Sequence, residues 1–350
     1  MKAKVIKLDR YRIDLDEIRA ISEELRDGKL VAFPTETVYG VAACESKSGS
    51  EKLQALKARE LNKPFSYHIG GLDALERLGV LQSSVFRYFM REFWPGPVTL
   101  LALNRKDEKI GIRYPNHPIA SRLFDLCREP VIATSANYSG EPSPKTVGEV
   151  VDKFGDQIDY VIDGGRPEWG TDSTVVDVTQ LPPQVMREGA LIDQVKAAIR
   201  NVKSNQFSRK LILFVCTGNS CRSPMGEAWL RAELKKSGLD KQIAVKSCGL
   251  CAREGASASM EAVLALKNDE IDMEDFRSHL CHRDDIVKSD LILAMKEEHK
   301  DFIVNLYPPS ENRVVILGVD DPIGLSVDAY EHCYRNIQSR VRRMWSEIIK

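Results

Sequence analysis

The sequence predicts an α/β protein with two domains, a mixed α/β domain followed by a small doubly wound domain with a parallel sheet. Along the 350 residues, apolar runs of strand length alternate with segments of helical spacing. The chain is also long for a single hydrophobic core, which favours two domains. A polar stretch without periodicity separates the two halves. We therefore predict domains at residues 1–200 and 210–350, joined by a linker at residues 201–209.

The first domain is predicted from segments whose apolar period changes between helix and strand. Residues 13–25 have helical spacing, residues 30–33 read as a buried strand, and residues 52–59 are again helical. Further strand-like runs lie at residues 98–103, 131–133 and 174–176. Strands and helices interleaved in this way predict a mixed α/β domain.

The second domain repeats strand and helix more regularly. Helices are predicted to begin near Pro224, Ser259 and Val327. In a doubly wound sheet, ligands bind at the carboxyl edge of the strands, so the segment after the first strand is a candidate site. Four apolar runs are predicted to be parallel strands, at residues 211–215, 243–245, 290–293 and 313–317.

The composition is that of an ordinary soluble protein. Apolar residues make up 43% and charged residues 29% of the chain, and the net charge of -1 predicts no membrane or nucleic-acid partner. No segment resembles a signal peptide or is long enough to span a bilayer. The 8 cysteines are too few for a disulfide scaffold in a chain of this size. We predict a reducing, cytoplasmic location.

The segment from Cys216 to Pro224 joins the first strand of the second domain to a helix, and it holds a cysteine and an arginine. Backbone N–H groups of such a loop and helix start converge on an anion and favour a thiolate at Cys216. Arg222 can hold two phosphoryl oxygens while the thiolate attacks phosphorus, and Ser223 can donate to the thiolate. The alternative is a buried strand-end cysteine beside a surface arginine. The strand before, the glycine within and the helix after favour the site.

This segment resembles the phosphate loop of the low-molecular-weight protein-tyrosine phosphatase family, and the resemblance covers residues 210–350. The family has a general acid in an Asp-Pro loop near its C-terminus, where this chain has Asp321 and Pro322. The resemblance implies a protein phosphatase that needs no cofactor, with Cys216 as nucleophile, Arg222 as phosphate ligand and Asp321 as general acid. The other residues of the phosphate loop are Thr217, Gly218, Asn219, Ser220, Cys221 and Ser223.

The walls of this site indicate which phosphoryl group it accepts. Tyrosine-directed members have aromatic walls, whereas residues 250–254 and 323–326 contain no aromatic side chain. Ser220 stands where tyrosine-directed members usually carry an apolar residue and arginine-directed members carry a threonine. A hydroxyl there can accept from a guanidinium. We predict a phosphoarginine substrate, with phosphotyrosine as the alternative. A sensor of phosphorylated ligands without turnover is disfavoured by the intact nucleophile, arginine and acid.

Other cysteines of this domain allow two further interpretations. The CxxC pair at residues 248–251, with Cys281 and His282, invites a zinc site, but the sequence has no second CxxC motif, and we predict no metal. Cys221 is close to Cys216 in sequence. We predict that the two form a reversible disulfide that protects the nucleophile.

Polar motifs in the first domain cluster where strands end. Residues 34–40 (PTETVYG) and 134–140 (TSANYSG) each follow a strand with hydroxyl groups and a glycine. Residues 57–63 hold three cations at a predicted helix end, more than one cap requires. Further cations, Arg113 and Arg187, lie at the edges of other strands. These features predict a polyphosphate or nucleotide site, and scattered surface charge is the alternative.

Five motifs of this domain, taken in order, carry a family resemblance. They are residues 34–40, the Lys57-x-Arg59 pair, residues 94–99 (WPGPVT), the Ser135-x-Asn137 pair and residues 172–175 (DSTV). Together they resemble the threonylcarbamoyl-adenylate synthase family over most of residues 10–200. The resemblance implies a twisted sheet with a basic concavity, in which L-threonine and bicarbonate form a carbamate that attacks the α-phosphate of ATP. Pyrophosphate leaves, and threonylcarbamoyl-AMP supplies a modification of tRNA.

The resemblance also implies which residues hold each ligand. It implies threonine contacts from Thr37, His68, Ser135 and Ser173. It implies ATP contacts from Arg59, Lys63, Arg113, Asn137, Lys145 and Arg187, with Lys57 near the reacting phosphate. Mg²⁺ is expected as the counter-ion of ATP. Cations and hydroxyls without an obvious nucleophile suit a transfer that depends on alignment and neutralised charge. The alternative is an RNA-binding module without catalysis. The tRNA-modification machinery is expected as an indirect partner.

Overall fold

The computed structural model describes residues 2–57 and 64–349. The chain divides into two compact units, Met1–Asn205 and Gln206–Lys350. Both units are α/β in class, which confirms the predicted fold class. No helix in the described part of the chain has the length and apolar character needed to cross a membrane.

The first unit contains a mixed sheet with helices between its strands. Its strands are β1 (Lys4–Lys7), β2 (Val31–Phe33), β3 (Gly40–Cys44), β4 (Ser66–His68), β5 (Val98–Leu103), β6 (Lys109–Arg113), β7 (Val131–Ser135), β8 (Tyr160–Asp163), β9 (Thr174–Asp177) and β10 (Gln184–Arg187). Its helices are α1 (Leu15–Arg26), α2 (Lys47–Lys57), α3 (Ala74–Arg77), α4 (Ser84–Phe93), α5 (Pro118–Cys127), α6 (Val147–Phe154) and α7 (Ile192–Lys203). Among the described residues the strand order is β1-β8-β2-β3-β7-β4-β6-β5-β9-β10.

Alternate residues of the central strands face two separate cores. Val31 and Phe33 of β2 pack in one buried cluster with residues of α1 and α5. Ala32, between them, packs in a second cluster with residues of α2 and α6. Successive side chains of a strand point to opposite faces, so helices on both faces cover this part of the sheet.

The start of α1 shows how the sequence sets an element boundary. The side chain of Asp14 accepts from the backbone N–H groups of Asp16 and Glu17, which caps the helix. Ile18 and Leu25 lie on its buried face. The sequence predicts a helix from residue 13, whereas α1 begins at Leu15, because the apolar spacing continues past the N-cap at Asp14.

The ends of the central strands bring several predicted ligand residues to one region of the sheet. Strands β4 and β6 are parallel, and His68 lies opposite Arg113 in their register. Arg113 is also opposite Thr99 on β5, and Ser135 is opposite Gly40 on β3. Directly opposed residues of neighbouring strands are close enough for their side chains to interact.

The second unit has the predicted doubly wound form. Its strands are β11 (Lys210–Cys216), β12 (Ile243–Gly249), β13 (Leu291–Ala294) and β14 (Val314–Ile316). They pair in the order β12-β11-β13-β14, and every neighbouring pair is parallel, as predicted. Its helices are α8 (Arg222–Lys236), α9 (Met260–Lys267), α10 (Arg283–Lys288), α11 (Glu297–Leu306), α12 (Val327–Arg343) and α13 (Trp345–Ile348), with a 3₁₀ helix at Pro308–Arg313.

Close packing fixes α8 against the first strand of this unit. A Cβ added at Gly226 would lie 2.6 Å from the ring of Phe214, so only glycine lets the helix approach β11 this closely. Trp229, one turn further along α8, is 1% exposed and belongs to the core. The helix start, and the phosphate loop before it, are thereby fixed to the sheet.

Candidate active sites

The segment after β11 forms a loop that is held from inside by one asparagine. Asn219 has a positive φ of 50°, in the left-handed region where asparagine is tolerated better than most residues. Its Nδ2 donates to Ser223 Oγ at 2.9 Å and to Ser247 Oγ at 2.8 Å. Its Oδ1 accepts from the backbone N–H of His279 at 2.7 Å. The loop is therefore anchored to β12 and to the segment before α10.

The predicted nucleophile has hydrogen-bond donors aimed at its sulfur. Cys216 Sγ is 2.9 Å from Ser223 Oγ and receives the backbone N–H of Asn219 at 3.3 Å. Ser223 Oγ accepts from Asn219, and its single hydrogen has two acceptors within reach, the sulfur at 2.9 Å and the carbonyl of Cys248 at 3.3 Å. Cys216 is 2% exposed, and Ser223 and the Asn219 N–H are positioned to donate to its sulfur.

The predicted arginine and general acid are in contact. Arg222 is 2% exposed and donates through Nη2 to a carboxylate oxygen of Asp321. It also lies 3.4 Å from the carbonyl of Val319 and 3.4 Å from Thr217 Oγ1. The Asp321 side chain is 35% exposed, so the acid lies at the opening of the site. The nucleophile and the arginine belong to one loop, and the acid reaches this arginine from a segment far along the sequence.

The rim of this site is aliphatic and polar. Ile323 and Leu325, which follow the acid, are 67% and 59% exposed. Ser220 is half-buried, and its backbone carbonyl accepts from Ser259 at the start of α9. Cys251 is exposed in the loop after β12. The two rim segments without aromatic residues, 250–254 and 323–326, thus contribute small, aliphatic and polar side chains.

The other thiols of this unit have protein partners. Cys221 Sγ is 3.4 Å from Ser259 Oγ and 3.4 Å from the hydroxyl of Tyr330. Cys248 forms a hydrogen bond with Cys281, and this contact together with burial raises the pKa of the Cys248 thiol. Among residues 2–57 and 64–349, no group of three or more His, Cys, Asp or Glu residues is arranged to hold a metal ion. The protective disulfide of Cys221 remains a prediction.

A buried carboxylate behind the phosphate loop was not found from the sequence. Glu227 Oε2 accepts from Ser247 Oγ at 2.5 Å, and Ser247 in turn accepts from Asn219. Burial raises the pKa of the Glu227 carboxyl. The sequence does not reveal this contact, because Ser247 lies on β12 and only the folded sheet brings it to Glu227. It supports the loop from behind.

The first unit holds a cavity of about 500 Å³ at the strand ends. Five of the predicted ligand residues line it, namely His68, Arg113, Ser135, Ser173 and Arg187. Phe33, Leu101 and Val175 provide apolar walls, and Asp172 provides a carboxylate. The lining mixes cations, hydroxyls and apolar surface, as a site for a polar ligand with an organic part requires.

A buried ion pair holds one of the predicted ATP ligands. Arg113 Nη2 is 3.0 Å from Glu36 Oε1 and 2.6 Å from Thr37 Oγ1. The two side chains of the ion pair are 7% and 3% exposed. Glu36 Oε2 and Arg113 Nε are buried without a hydrogen-bond partner among the described residues. In the sequence, Glu36 is one residue of the motif at residues 34–40, and nothing there shows that it faces Arg113.

The end of α2 is tied to the end of β7 by a lysine. Lys57 is 4% exposed, and its ammonium donates to the carbonyl of Ser135 at 2.8 Å, to Asn137 Oδ1 at 2.9 Å and to the carbonyl of Asn137. Ser135 Oγ also donates to Asn137 Oδ1 at 2.5 Å. Lys57 therefore positions Ser135 and Asn137, to which the family resemblance gives contacts with threonine and with ATP respectively.

The remaining predicted residues of this unit occupy different positions. Arg187 donates through Nε and Nη2 to the carbonyl of Ser173, and Ser173 Oγ is 3.0 Å from Thr99 Oγ1. Lys145 is exposed, with its side chain beside Gly170, and it is not among the residues that line the cavity. The predicted ligands Arg59 and Lys63 lie outside the described residues.

His68 is neutral in this cavity. Its Nδ1 donates to the carbonyl of Ser66 at 3.2 Å, which leaves Nε2 as a hydrogen-bond acceptor. Its ring contacts Phe33 and Phe124 edge to face. Burial, with Arg113 nearby, lowers the pKa of His68 to about 3. A neutral imidazole can accept from an ammonium or a hydroxyl group without adding positive charge.

We predict that His68 does not titrate in the physiological range. Its pKa falls on folding, so its contribution to stability is complete above the unfolded value of about 6.5 and is lost as the pH falls towards 3. The ring resonances of His68 in an NMR titration should stay constant between about pH 5 and 8. A midpoint near pH 6.5 would show that the ring is solvated and would contradict this assignment.

The fold and the two sites define the class of protein: an α/β chain with a polar, cationic ligand cavity in one unit and, in the other, a loop after the first strand that holds a cysteine and an arginine paired with an aspartate. The family model Sua5/YciO/YrdC, described as telomere recombination, matches residues 23–189. The low molecular weight phosphotyrosine protein phosphatase model matches residues 211–350. The chain belongs to the threonylcarbamoyl-AMP synthase family and carries a low molecular weight phosphatase domain after it. Both predicted resemblances are confirmed, and both families are enzymes.

Individual relatives support this placement. The chain is 35% identical over 205 residues to the threonylcarbamoyl-AMP synthase of Pyrococcus abyssi, which covers 55% of this chain and 60% of that protein. It is 32% identical to the human threonylcarbamoyl-AMP synthase, covering 53% of this chain and 71% of the relative. The crystal structure of P. abyssi Sua5 with L-threonine is similar in fold, with a TM-score of 0.54 and 22% identity over 96% of this chain and 98% of that one. In the sequence comparison, the matched residues span 60% of the P. abyssi threonylcarbamoyl-AMP synthase, less than two thirds of its length.

Proposed function

We propose that the first unit synthesises threonylcarbamoyl-AMP from L-threonine, bicarbonate and MgATP. The observation that carries the proposal is the cavity at the strand ends, where neutral His68 lies opposite the paired cation Arg113. The carbamate of threonine would attack the α-phosphate of ATP. The bond from that phosphorus to the pyrophosphate oxygen would break, and pyrophosphate would leave with the electron pair. Such a transfer needs aligned reactants and neutralised oxygens, which the cations and hydroxyls of the lining supply.

The proposal divides the predicted ligand residues between the two substrates. His68 Nε2 accepts from threonine, and hydroxyls are offered to it by Ser135 and Ser173 in the cavity lining and by Thr37 beside Arg113. The phosphates of ATP, with their Mg²⁺ as part of the substrate, meet the cations. The residues assigned to ATP are Arg59, Lys63, Arg113, Asn137, Lys145 and Arg187. Lys57 acts through Ser135 and Asn137, to which its ammonium is bonded.

Substrate dependence tests this proposal. Pyrophosphate release from ATP should require both L-threonine and bicarbonate, because the attacking carbamate needs both. Omission of either should reduce the rate to the background of ATP alone. Salt-sensitive RNA binding without any threonine-dependent release would instead favour an RNA-binding module.

We also propose that the second unit is a cysteine-dependent protein phosphatase. Cys216 attacks phosphorus, the bond from phosphorus to the leaving atom breaks, and Asp321 protonates that atom. Water activated by the same carboxylate then hydrolyses the cysteinyl-phosphate and releases phosphate. Arg222, now bonded to Asp321, would turn its fork to the phosphoryl oxygens when the substrate enters. The donors around the Cys216 sulfur are the observation that carries this proposal.

Phosphoarginine is the proposed substrate of this unit. The exposed rim is aliphatic, at Ile323 and Leu325, and offers no ring on which a phosphotyrosine could stack. By family resemblance, the position of Ser220 distinguishes arginine-directed from tyrosine-directed members. Ser220 supplies a hydroxyl there.

Phosphoarginine and phosphotyrosine peptides of the same sequence should be hydrolysed with at least about tenfold different kcat/KM, in favour of phosphoarginine. Tenfold corresponds to about 1.4 kcal/mol of transition-state binding. Ser220→Val should reduce this preference, since it removes the acceptor, whereas Ser220→Thr should keep it. A wild-type preference for phosphotyrosine would contradict the proposal.

We place both reactions in the cytoplasm. All eight cysteines are free, and a thiolate nucleophile requires a reducing compartment. The adenylate product would pass to the tRNA-modification machinery, and phosphoproteins would be the partners of the second unit.

A further inference from the structure

A buried histidine, His299, lies under the phosphate loop. It is not among the site residues predicted from the sequence, and it has no part in the proposed phosphatase reaction. His299 is in the first turn of α11 and is 1% exposed. Its two ring nitrogens have different partners. Nδ1 is 3.0 Å from the backbone nitrogen of Lys296, and Nε2 is 3.0 Å from Thr217 Oγ1.

These contacts fix the tautomer of the ring. The backbone N–H of Lys296 can only donate, so Nδ1 carries no hydrogen and accepts. Nε2 therefore carries the hydrogen and donates to the hydroxyl oxygen of Thr217. Burial and the nearby Arg222 lower the pKa of His299, which keeps the ring neutral near pH 7. The other charges that face it are Lys296, Glu298 and Asp321.

These contacts leave the Thr217 hydroxyl able to act as a hydrogen-bond donor to another group. Its oxygen accepts from His299 Nε2 at 3.0 Å and lies 3.4 Å from Arg222 Nη2. Both contacts occupy lone pairs, so the hydroxyl hydrogen must point away from both nitrogens. Thr217 directly follows the nucleophile and is exposed, and its side chain contacts the arginine that is expected to hold the phosphoryl group.

We propose that His299 is a positioning residue of the phosphatase site, which fixes the Thr217 hydroxyl as a donor to an oxygen of the bound phosphoryl group. The inference rests on the proposed phosphatase function. It adds an element to the site, because α11 is thereby joined to the phosphate loop. Lys296, which caps the same helix, forms an ion pair with Asp320 at 2.9 Å, beside the general acid.

Two substitutions of the histidine separate its two contacts. The amide of asparagine reaches about as far as Nδ1, so His299→Asn keeps the acceptor for Lys296 and loses the donor to Thr217. The longer His299→Gln can reach Thr217 and loses the cap. Thr217→Val removes the hydroxyl, and Thr217→Ser restores it. Asp301→Asn, at an exposed position of the same helix, is the matched control.

The measurement is the Kd of inorganic phosphate by calorimetry, with kcat/KM for p-nitrophenyl phosphate beside it. His299→Asn and Thr217→Val should each weaken phosphate binding and lower kcat/KM about tenfold, the effect of one hydrogen bond to a charged group. The double variant should be no worse than either single one, because both remove the same interaction. His299→Gln and Thr217→Ser should recover most of the loss, and His299→Gln should show a lower Tm.

Three results would overturn the inference. The first is an additive double variant, and the second is a His299→Asn protein that binds phosphate as the wild type does while Thr217→Val does not. The third is a wild-type protein that binds no phosphate. Failure of the phosphatase proposal is seen separately, since phosphate affinity is measured without turnover. A wild type that binds phosphate but hydrolyses no phosphoester would refute the proposed reaction and leave the positioning role standing.

Discussion

Cys216→Ser should abolish phosphatase activity and leave threonine-dependent pyrophosphate release at the wild-type rate. The serine oxygen is a far weaker nucleophile than a thiolate, and removal of a catalytic nucleophile typically costs at least about 10³-fold in kcat. Hydrolysis of phosphoarginine and phosphotyrosine peptides should both be lost, since both require attack by the same sulfur. The two activities are measured in one preparation of each variant.

The control for this variant is Cys44→Ser, the same chemical change in the other unit, where Cys44 lies in the hydrophobic core with its sulfur 3.4 Å from that of Cys127. It should retain phosphatase activity. Loss of both activities in Cys216→Ser, with an unchanged thermal transition, would contradict independent catalysis by the two units.

Lys57→Met should reduce threonine-dependent pyrophosphate release at least about 100-fold and leave phosphatase activity unchanged. The substitution keeps an unbranched side chain but removes the ammonium that donates to Ser135 and Asn137. These oxygens would lose their donor in a buried place, so the first unit should also be destabilised by about 1–3 kcal/mol or more. Thermal unfolding followed beside the pyrophosphate assay measures both effects.

The matched control is Lys47→Met, an exposed lysine at the start of the same helix. It should change neither the rate nor the stability beyond about 0.5 kcal/mol. A Lys57→Met protein with wild-type pyrophosphate release would show that Ser135 and Asn137 do not depend on the lysine.

The parts of the fold that local patterns determine could be predicted. The four parallel strands of the second unit were found because each contains a short, nearly continuous apolar run. The phosphate loop was found because its residues are contiguous from Cys216 to Pro224. In the first unit, strand ends marked four of the residues that line the cavity, Arg113, Ser135, Ser173 and Arg187, and the family resemblance added His68.

Contacts between distant segments could not be predicted in this way. Glu36 and Arg113 are far apart in sequence, and only the register of β6 beside the neighbouring strands brings the carboxylate to the guanidinium. His299 reaches Thr217 from α11, a helix absent from the sequence prediction, whose charged first turn gives little apolar signal. Lys145 was assigned to ATP by family resemblance, but it does not line the cavity. A position that matches a family motif does not by itself determine where the side chain lies.

The central claim is that one chain carries two separate enzymes, and the synthase half of it is tested most directly by mass spectrometry of its product. Purified protein is incubated with MgATP, L-threonine and ¹³C-bicarbonate, and the nucleotides are analysed. We predict an AMP derivative that contains threonine and one ¹³C atom, formed equally by the wild type and Cys216→Ser. Nucleotide products that lack threonine or the ¹³C label would contradict the proposed synthase reaction.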